Sequence, residues 1–248
     1  MRVTRWQSLR MGLLGLVLLN QATPPALAAP IEAITEASSY SYLEEGKVAG
    51  PASEVVKATL EQAGLNDYHL ALYPWARAYD IARAEPNVLI YPIIRTAERE
   101  RLFKWVGEFE EIKTVLYRLQ GHEGVELQDL DQAKAYTVGV VRDDVRDQYL
   151  RNAGFTRLVV SASALDNLRK LLAGQVDLIP LSPRDAQRFC EQLHIPFYTL
   201  EPVMTLKQIT AHAYIAFSLA TPDEVVQKAV EGFNHLKQQG EVRRLMAP

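Results

Sequence analysis

The stretch YPWARAYDIARAEPNVLIYPIIRTAERERLFKWVGEF, residues 73–109, contains a helix pattern, a buried-strand pattern and a turn that carries an arginine. Pro74 suits the start of a helix, because an N–H missing there leaves no hydrogen bond unmade. The alanines that follow favour a helix, and Pro86 ends it. Val88–Ile94 is an apolar run with the length of a buried strand. The segment therefore predicts a helix, a strand and then a turn.

Thr96 and Arg99 lie in the turn that follows this predicted strand. Thr96 can cap the turn, and open α/β sheets bind ligands at the carboxyl ends of their strands. An arginine side chain at that edge matches the geometry of a carboxylate. The pattern indicates an anion pocket at Arg99, and the alternative is a surface ion pair with Glu98 or Glu100.

The first 28 residues have the three parts of a secretory signal peptide. Three arginines form a basic region, an apolar run at 11–19 follows, and Ala26-Leu-Ala28 supplies the small residues of a cleavage site. The apolar run is shorter than a membrane span requires. We expect cleavage near Ala28 and export to the periplasm, and the alternative is an uncleaved membrane anchor.

The composition excludes several classes of protein. The formal net charge is −3 and the chain has no basic stripe, which gives no support for nucleic-acid binding. Cys190 is the only cysteine, so no intramolecular disulfide can form. The chain lacks the common hydrolase, phosphate-loop and paired-cysteine motifs, and its five histidines are scattered. We expect a monomer without a metal, a cofactor or a catalytic activity.

Strand and helix patterns alternate along the rest of the chain, which indicates an α/β architecture. One series runs from residue 31 to the segment quoted above, and a second begins after Gly121. In the second series, residues 182–185 carry a cap, a proline and an acid that together predict a helix start. Residues 197–200 are predicted to form a strand.

The order of strand, Thr96-x-x-Arg99 and aromatic-rich strand at 103–109 resembles the type II periplasmic solute-binding proteins, specifically their polar-amino-acid-binding group. The resemblance extends over nearly the whole chain after the signal peptide. It implies a periplasmic-binding-protein-like II fold of two lobes. Each lobe would be a central mixed β-sheet flanked by helices, and two hinge crossovers would join them.

The resemblance also implies the domain boundaries. Lobe 1 would comprise residues 29–115 together with 210–248, and lobe 2 would comprise residues 118–208. The second of the two crossing segments would return the chain to lobe 1 before its last strand and its last long helix.

In that family the ligand lies between the lobes, sandwiched by aromatic rings and clamped at its charged ends. The resemblance implies that Arg99 binds the ligand's carboxylate and that Trp75 stacks against the ligand, unless Trp75 is a core residue. Tyr40 and Tyr42 would form a second aromatic wall, although tyrosines in a loop are often simply exposed. Tyr91 would extend from its strand toward the cleft.

Four further residues depart from the family's pattern or leave its meaning open. Asp143 and Asp144 stand where the family has a small, hydroxyl-rich turn, and two acids would repel an anion unless Asp144 only caps a helix. Ser182 stands where the family has an acid that binds ammonium, and it is also a good helix cap. Glu36 could bind a cationic group or be solvated.

These features predict a protein that binds a small polar solute, which could be amino-acid-like, by hinge closure for ABC-type uptake. Its partners would be the small-molecule ligand and an ABC permease. One alternative is a periplasmic ligand-sensing protein that serves a membrane receptor. The other is a dehydratase-type enzyme on the same scaffold, for which Glu36 and Asp143 are the available acids.

Overall fold

The computed structural model describes residues 29–121 and 127–247, and the predicted signal peptide lies outside the described residues. Within the described parts, no helix has the length and apolar character needed to cross a membrane. The chain forms two lobes of mixed α/β structure, as the sequence predicted.

The first lobe is built on a five-stranded sheet. The strands, in chain order, are β1 (Ile31–Thr35), β4 (Tyr68–Leu72), β5 (Val88–Ile94), β6 (Phe103–Ile112) and β12 (Ala211–Ser218). Their spatial order is β4-β1-β5-β12-β6. β1 is parallel to β4 and β5, whereas β12 is antiparallel to β5 and β6. A short hairpin of β2 (Tyr42–Glu44) and β3 (Lys47–Ala49) follows β1.

Helices cover both faces of this sheet. They are α1 (Pro51–Gln62), α2 (Trp75–Ala84), α7 (Asp223–Gln238) and α8 (Glu241–Met246). α1, α7 and α8 share one hydrophobic cluster with the sheet, and α2 packs in a second cluster on the other side. The quoted segment accordingly forms α2, β5 and β6 in the order that its pattern predicts.

The second lobe is built on two smaller sheets. β7 (Val115–Leu119) lies between β10 (Ile179–Leu181) and β11 (Leu200–Thr205), and β8 (Val138–Val141) pairs in parallel with β9 (Leu158–Ser161). A bridge between Val138 and Leu178 connects the two sheets. The helices of this lobe are α3 (Leu130–Ala133), α4 (Val145–Asn152), α5 (Ala164–Leu172) and α6 (Pro183–Gln192).

Local signals explain where the helices of the second lobe begin. The side chains of Asp144, Ser163 and Ser182 each accept a hydrogen bond from a backbone N–H in the first turn of the helix that follows. Pro183 occupies the start of α6, and Phe189 and Cys190 turn inward from its apolar face. Cys190 is a buried free thiol, in agreement with a structural rather than a reactive role.

The strand predicted at residues 197–200 is wrong. Phe197–Thr199 is a 3₁₀ turn, closed by a hydrogen bond from Thr199 N to Pro196 O at 3.0 Å, and β11 begins only at Leu200. The side chain of Tyr198 is 72% exposed and Phe197 is also exposed. Aromatic residues raised the strand propensity of this segment, but no packing surface faces them, so the proline-initiated turn prevails.

Two segments connect the lobes. The chain passes from β6 to β7 through residues 113–114, and from β11 back to β12 through residues 206–210. Leu206 N donates a hydrogen bond to Thr114 O at 2.8 Å, so the two crossovers lie side by side. The two lobes are thus joined by a pair of adjacent crossovers.

Gly232 allows α7 to lie directly against α1. A Cβ atom added at this position would be 2.8 Å from Thr59 O and 3.0 Å from Ala63 N, both of which are backbone atoms. Backbone atoms of a packed helix cannot move aside as the end of a flexible side chain can. The contact between the two helices therefore requires glycine at this position.

We expect Gly232→Ala to destabilise the protein by roughly 1–2 kcal/mol, because the steric cost exceeds the gain in helix propensity. The exposed Asn234→Ala in the same helix is the matched control, and it should leave stability unchanged or slightly higher. Urea denaturation of both variants measures the effect. An increase in stability for Gly232→Ala would contradict the proposed contact.

Candidate functional site

A cavity lies between the two lobes, where the carboxyl ends of β1 and β5 face the helix starts of the second lobe. Its volume is about 40 Å³, which has room for roughly three water molecules. Five charged side chains line it: Glu36, Arg99, Asp144, Arg146 and Asp185. Tyr40, Trp75 and Phe189 supply its aromatic walls.

Arg99 is one of the most deeply buried polar side chains, at 2% exposure. Its turn is held by hydrogen bonds from Arg99 N to Thr96 O at 3.1 Å and to Thr96 Oγ1 at 3.3 Å. Nη1 donates to Ile94 O at 3.3 Å and Nη2 donates to Asp143 O at 3.2 Å. Its Nε is buried and has no hydrogen-bond partner among the residues that the structure describes.

Aromatic rings surround this guanidinium group. Its central carbon lies 5.3 Å from the ring centroid of Trp75 and 5.0 Å from that of Tyr79. The two rings are stacked on each other at 5.7 Å. A cation over aromatic faces is stabilised by the ring electrons, and the effect is larger away from bulk water. The rings therefore make favourable cation–π contacts with Arg99 inside the protein.

The backbone carbonyl of Asp143 ties the lobes together. It accepts hydrogen bonds from Trp75 Nε1 at 3.0 Å and Arg99 Nη2 at 3.2 Å, both in the first lobe. It also accepts one from Gln148 Nε2 of its own lobe at 3.3 Å. Asp143 adopts a φ of 59°, in the left-handed region that few residues other than glycine, Asn and Asp enter. This backbone turn directs the carbonyl toward the first lobe.

Asp185 makes a second connection between the lobes. Its Oδ1 accepts hydrogen bonds from Ser39 N at 2.9 Å and from Ser39 Oγ at 2.7 Å across the cleft. Its Oδ2 accepts a hydrogen bond from Ser182 Oγ at 2.7 Å. Farther out, Arg184 Nη1 donates to Met246 O at 3.0 Å. Direct polar contacts thus hold the lobes in a closed arrangement.

Asp144 and Arg146 bring opposite charges into the cavity from the start of α4. Asp144 Oδ1 accepts a hydrogen bond from Arg146 N at 2.9 Å, and it lies 3.7 Å from Arg146 Nη1. Burial alone would lower the pKa of Arg146, but the charges of Asp144, Asp185 and Glu36 outweigh it and raise the pKa. Arg146 Nε is buried and, like Arg99 Nε, has no hydrogen-bond partner in the described ranges 29–121 and 127–247.

Glu36 follows β1 and faces this group of charges. Within the part of the chain that the structure describes, no donor forms a hydrogen bond or an ion pair with its carboxyl group. Burial and then repulsion by Asp144 raise its pKa from 4.5 to about 8, although Arg146 acts in the opposite direction. Glu36 is therefore mostly protonated at neutral pH in this closed arrangement.

No protein-family model and no curated protein matches the sequence. Among solved structures, a histidine kinase sensor domain with similarity to periplasmic binding proteins superposes with a TM-score of 0.76 at 19% identity, over 87% of this chain and 93% of that one. The arginine-, lysine-, histidine-binding protein ArtJ of Geobacillus stearothermophilus gives 0.74 at 18% identity, with the same shares covered. AbpA of Streptococcus pneumoniae, an amino acid ABC transporter substrate-binding protein bound to L-arginine, gives 0.74 at 16% identity, over 88% and 93%.

The chain has the type II periplasmic-binding-protein fold. The likeness extends over most of both chains in each pair, so it includes both lobes and the crossovers between them. The fold expected from the resemblance is thereby confirmed.

The sequence analysis placed the ligand site between the two lobes, so its predicted residues can be compared with the residues that line the cavity there. The structure brings five of the eight predicted residues to the cavity: Glu36, Tyr40, Trp75, Arg99 and Asp144. Asp144 both caps α4 and lines the cavity, so the two alternatives considered from the sequence, a helix cap and a site residue, hold together. Trp75 is likewise buried in the core of the first lobe while one of its edges reaches the cavity.

The other three predicted residues do not line the cavity. Tyr42 lies in an open groove beside it, with the guanidinium carbon of Arg188 3.6 Å from its ring centroid. Ser182 caps α6 and reaches the cavity only through Asp185. Tyr91 points to the opposite side of β5, where it is fully buried in the core.

Tyr91 supports the site from behind. Its hydroxyl donates to Ser53 Oγ at 3.2 Å, and Ser53 Oγ donates to Ser41 Oγ at 3.1 Å. Ser41 ends the loop that carries Glu36, Ser39 and Tyr40. Successive residues of a strand face opposite sides of its sheet. Pro92, the next residue, consequently lines the cavity instead.

Sequence reasoning missed Arg146, Asp185 and Phe189 as cavity residues. An arginine in the first turn of a helix is unfavourable beside the positive end of the helix dipole, and this could have indicated that acids surround Arg146. Asp185 was interpreted only as part of a helix start. Nothing in the local pattern of α6 indicates that its first turn meets Ser39, which is 146 residues away.

We expect Glu36→Gln to change how stability depends on pH. The unfolded chain ionises Glu36 near 4.5, whereas the folded protein keeps it neutral until about pH 8. The stability that comes with neutral Glu36 is therefore complete below pH 4.5 and is lost as the pH rises to about 8. A neutral glutamine avoids this loss, so the variant should gain roughly 1–4 kcal/mol over the wild type by pH 8.

Urea denaturation at several pH values between 4.5 and 8 measures this difference. Glu32→Gln removes a carboxyl group from β1, on the same strand but away from the cavity, and it is the matched control. Identical pH dependences for Glu36→Gln and the wild type would contradict the environment described for Glu36.

Proposed function

We propose that this chain is an exported solute-binding protein that closes its two lobes on a small polar solute, with an acceptor group of that solute on Arg99. The observation that carries the proposal is the buried Nε of Arg99 at a cavity between the lobes, for which the described part of the chain supplies no hydrogen-bond partner. A buried donor without a partner is costly, and a bound carboxylate would satisfy it. Trp75 and Tyr40 would form the walls around the solute.

The division of the chain supports hinge closure. We propose lobe 1 as residues 29–115 with 210–248 and lobe 2 as residues 118–208, which would rotate about the crossovers. In the closed arrangement, Asp143 O and Asp185 already bind groups of the opposite lobe. The solute would add contacts available only in that arrangement, and this difference in affinity is what drives closure.

The solute is proposed to be amino-acid-like. Solved structures with this fold include a protein that binds arginine, lysine and histidine and another bound to L-arginine. The cavity of this chain combines two arginines with three carboxyl groups, which suits a molecule that carries both signs of charge. Delivery to an ABC permease would follow, after removal of the signal peptide near Ala28 and release into the periplasm.

A sensing role is the second candidate, because one of the similar structures is a histidine kinase sensor domain. In that case the closed lobes would contact a membrane receptor rather than a permease. Neighbouring genes for a permease and an ATPase would favour transport, and a neighbouring receptor gene would favour sensing. A dehydratase-type reaction is disfavoured, because the side chain of Asp143 is exposed and does not share the cavity with Glu36.

We expect Arg99→Ala to abolish stabilisation by the solute while the protein still folds. A solute at a hundredfold excess over its Kd stabilises the wild type by about 2.7 kcal/mol, a shift in Tm of roughly 5–10 °C. A thermal-shift screen of amino acids, polyamines, organic acids and small peptides would first identify such a solute. The variant should then show no shift.

Arg95→Ala is the matched control, because Arg95 lies on the same strand end but is exposed and paired with Glu100. This control should respond to the solute as the wild type does. A full thermal shift in Arg99→Ala would contradict the proposed role of Arg99.

A further inference from the structure

Arg146 stands in an unfavourable place for an arginine. It is the second residue of α4, beside the positive end of the helix dipole, where acidic side chains are stabilised and cations are not. The other arginine of this helix, Arg151, lies in the last turn, where a cation is favourable. Its side chain is 53% exposed and paired with Asp147. The position of Arg146 is therefore not explained by the needs of α4 itself.

The side chain of Arg146 turns into the cavity between the lobes. It is 14% exposed and lines the cavity with three acids, Glu36, Asp144 and Asp185. These acids come from different elements, since Asp144 caps α4, Asp185 lies in the first turn of α6 and Glu36 follows β1. Burial would lower the pKa of Arg146, and the three acids raise it instead. The guanidinium group thus serves acids from both lobes.

The ion pair between Arg146 and Asp144 is loose. Arg146 Nη1 lies 3.7 Å from Asp144 Oδ1, which is beyond hydrogen-bonding distance. By contrast, Arg118 binds Glu201 through two parallel hydrogen bonds of 3.0 Å each, the usual form of a strong arginine–carboxylate pair. Within the described residues, Nε of Arg146 is buried without an acceptor. Arg146 therefore supplies its charge to the cavity and keeps one buried donor for an acceptor.

We propose that Arg146 determines the specificity of the site by acting as a built-in cation. Its guanidinium group neutralises the acids of the cleft, so a solute with a guanidinium or ammonium side chain is repelled. A solute whose side chain ends in an acceptor, a carboxylate or an amide oxygen, is accepted, because that acceptor receives the Nε–H of Arg146. This inference rests on the function proposed above and names the class of solute.

Size and charge both act against a cationic side chain. The cavity of about 40 Å³ suits a group as small as a carboxylate or an amide, and it leaves no room for a second guanidinium group beside that of Arg146. Two like charges a few ångströms apart also repel strongly where water is excluded. The rest of the solute would extend into the open groove of about 510 Å³ that shares Ala37, Ser38 and Phe189 with the cavity.

The expected specificity differs from that of the similar structures. ArtJ binds arginine, lysine and histidine, and AbpA is bound to L-arginine. L-Glutamate and L-glutamine carry both signs of charge, which the cavity suits, but neither has a cationic side chain. We therefore expect this chain to share the fold of those proteins and not their ligands.

Isothermal titration calorimetry of the mature protein at neutral pH compares L-glutamate, L-glutamine, L-arginine and L-lysine. We expect L-glutamate or L-glutamine to bind roughly tenfold or more tightly than either cationic amino acid. In Arg146→Ala this preference should fall by about tenfold or more, because the acceptor loses its donor and the cationic side chain gains the acids. Arg151→Ala, on the same helix and exposed, is the matched control and should keep the wild-type preference.

Two further variants separate the charge of Arg146 from its donor. Arg146→Lys keeps the charge but lacks the Nε–H, so it should still reject L-arginine and L-lysine while it binds L-glutamate more weakly. Arg146→Gln keeps much of the side chain and removes the charge, so it should no longer reject the cationic amino acids. A purely structural role would instead weaken all four amino acids alike in every variant.

Methylguanidinium gives a second measurement that needs no amino acid. Arg146→Ala leaves a guanidinium-sized space among the acids, so methylguanidinium should raise the Tm of this variant. At ten times its Kd the rise should be roughly 3–6 °C. The wild type and Arg151→Ala should not respond, and tetramethylammonium at the same concentration should have no effect. If Arg146→Ala does not fold alone, methylguanidinium should restore its folding, as measured by circular dichroism.

The proposal is overturned if the wild type binds L-arginine or L-lysine as tightly as L-glutamate and L-glutamine, or if it binds none of the four. It is also overturned if both Arg146→Ala and Arg146→Gln keep the wild-type preference, or if methylguanidinium does not act selectively on Arg146→Ala. These outcomes remain distinct from a failure of the proposed function. Another solute that stabilises the wild type but not Arg99→Ala would support solute binding and still reject the role of Arg146.

Discussion

The backbone carbonyl of Asp143 is the contact on which the arrangement of the site depends. Trp75 and Arg99 come from separate elements of the first lobe, and both donate to this single oxygen of the second lobe. The oxygen reaches them because the chain turns through a left-handed conformation between β8 and α4. A side-chain acceptor could rotate away, whereas a carbonyl held between a strand and a helix is fixed. The carbonyl oxygen of Asp143 therefore fixes the position of the Arg99 guanidinium group at the cavity.

Electrostatics decides the rest of the site. Five charged side chains surround a space for a few water molecules, and in such a space an unpaired charge is expensive. The protein neutralises most of these charges internally, through helix caps, aromatic faces and hydrogen bonds between the lobes. Among the described charged side chains that line the cavity, the groups without a hydrogen-bond partner are Nε–H of Arg99, Nε–H of Arg146 and the carboxyl group of Glu36. Asp144 and Asp185 already accept hydrogen bonds from the protein, so these three groups are the ones left for a solute.

Much of the fold is readable from local pattern. Residues 73–109 form the predicted helix, strand, turn and strand, and Ser182 and Pro183 start α6 where their types indicate. A strand was wrongly predicted at residues 197–199, because strand propensity is weak evidence where the side chains are exposed and pack against nothing. Within the site, Arg99 and Trp75 could be nominated from the sequence, because each lies just after a predicted strand and strand ends can be recognised from neighbouring residues. Tyr91 was placed on the wrong side of β5, since the sequence of a wholly apolar strand does not show which face is which.

The sequence by itself determined the α/β class, the alternation of helices and strands over much of the chain and the position of Arg99 at a strand end. These features follow from hydrophobic period, capping residues and proline, all of which act over a few neighbouring residues. Only the tertiary structure decided which charges meet in the cavity. Ser39 meets Asp185 and Arg99 meets Asp143 across more than forty residues of chain, and no described residue forms a hydrogen bond or an ion pair with the carboxyl group of Glu36. Such pairings depend on how two separately built lobes close on each other, and no short-range pattern in the chain encodes that geometry.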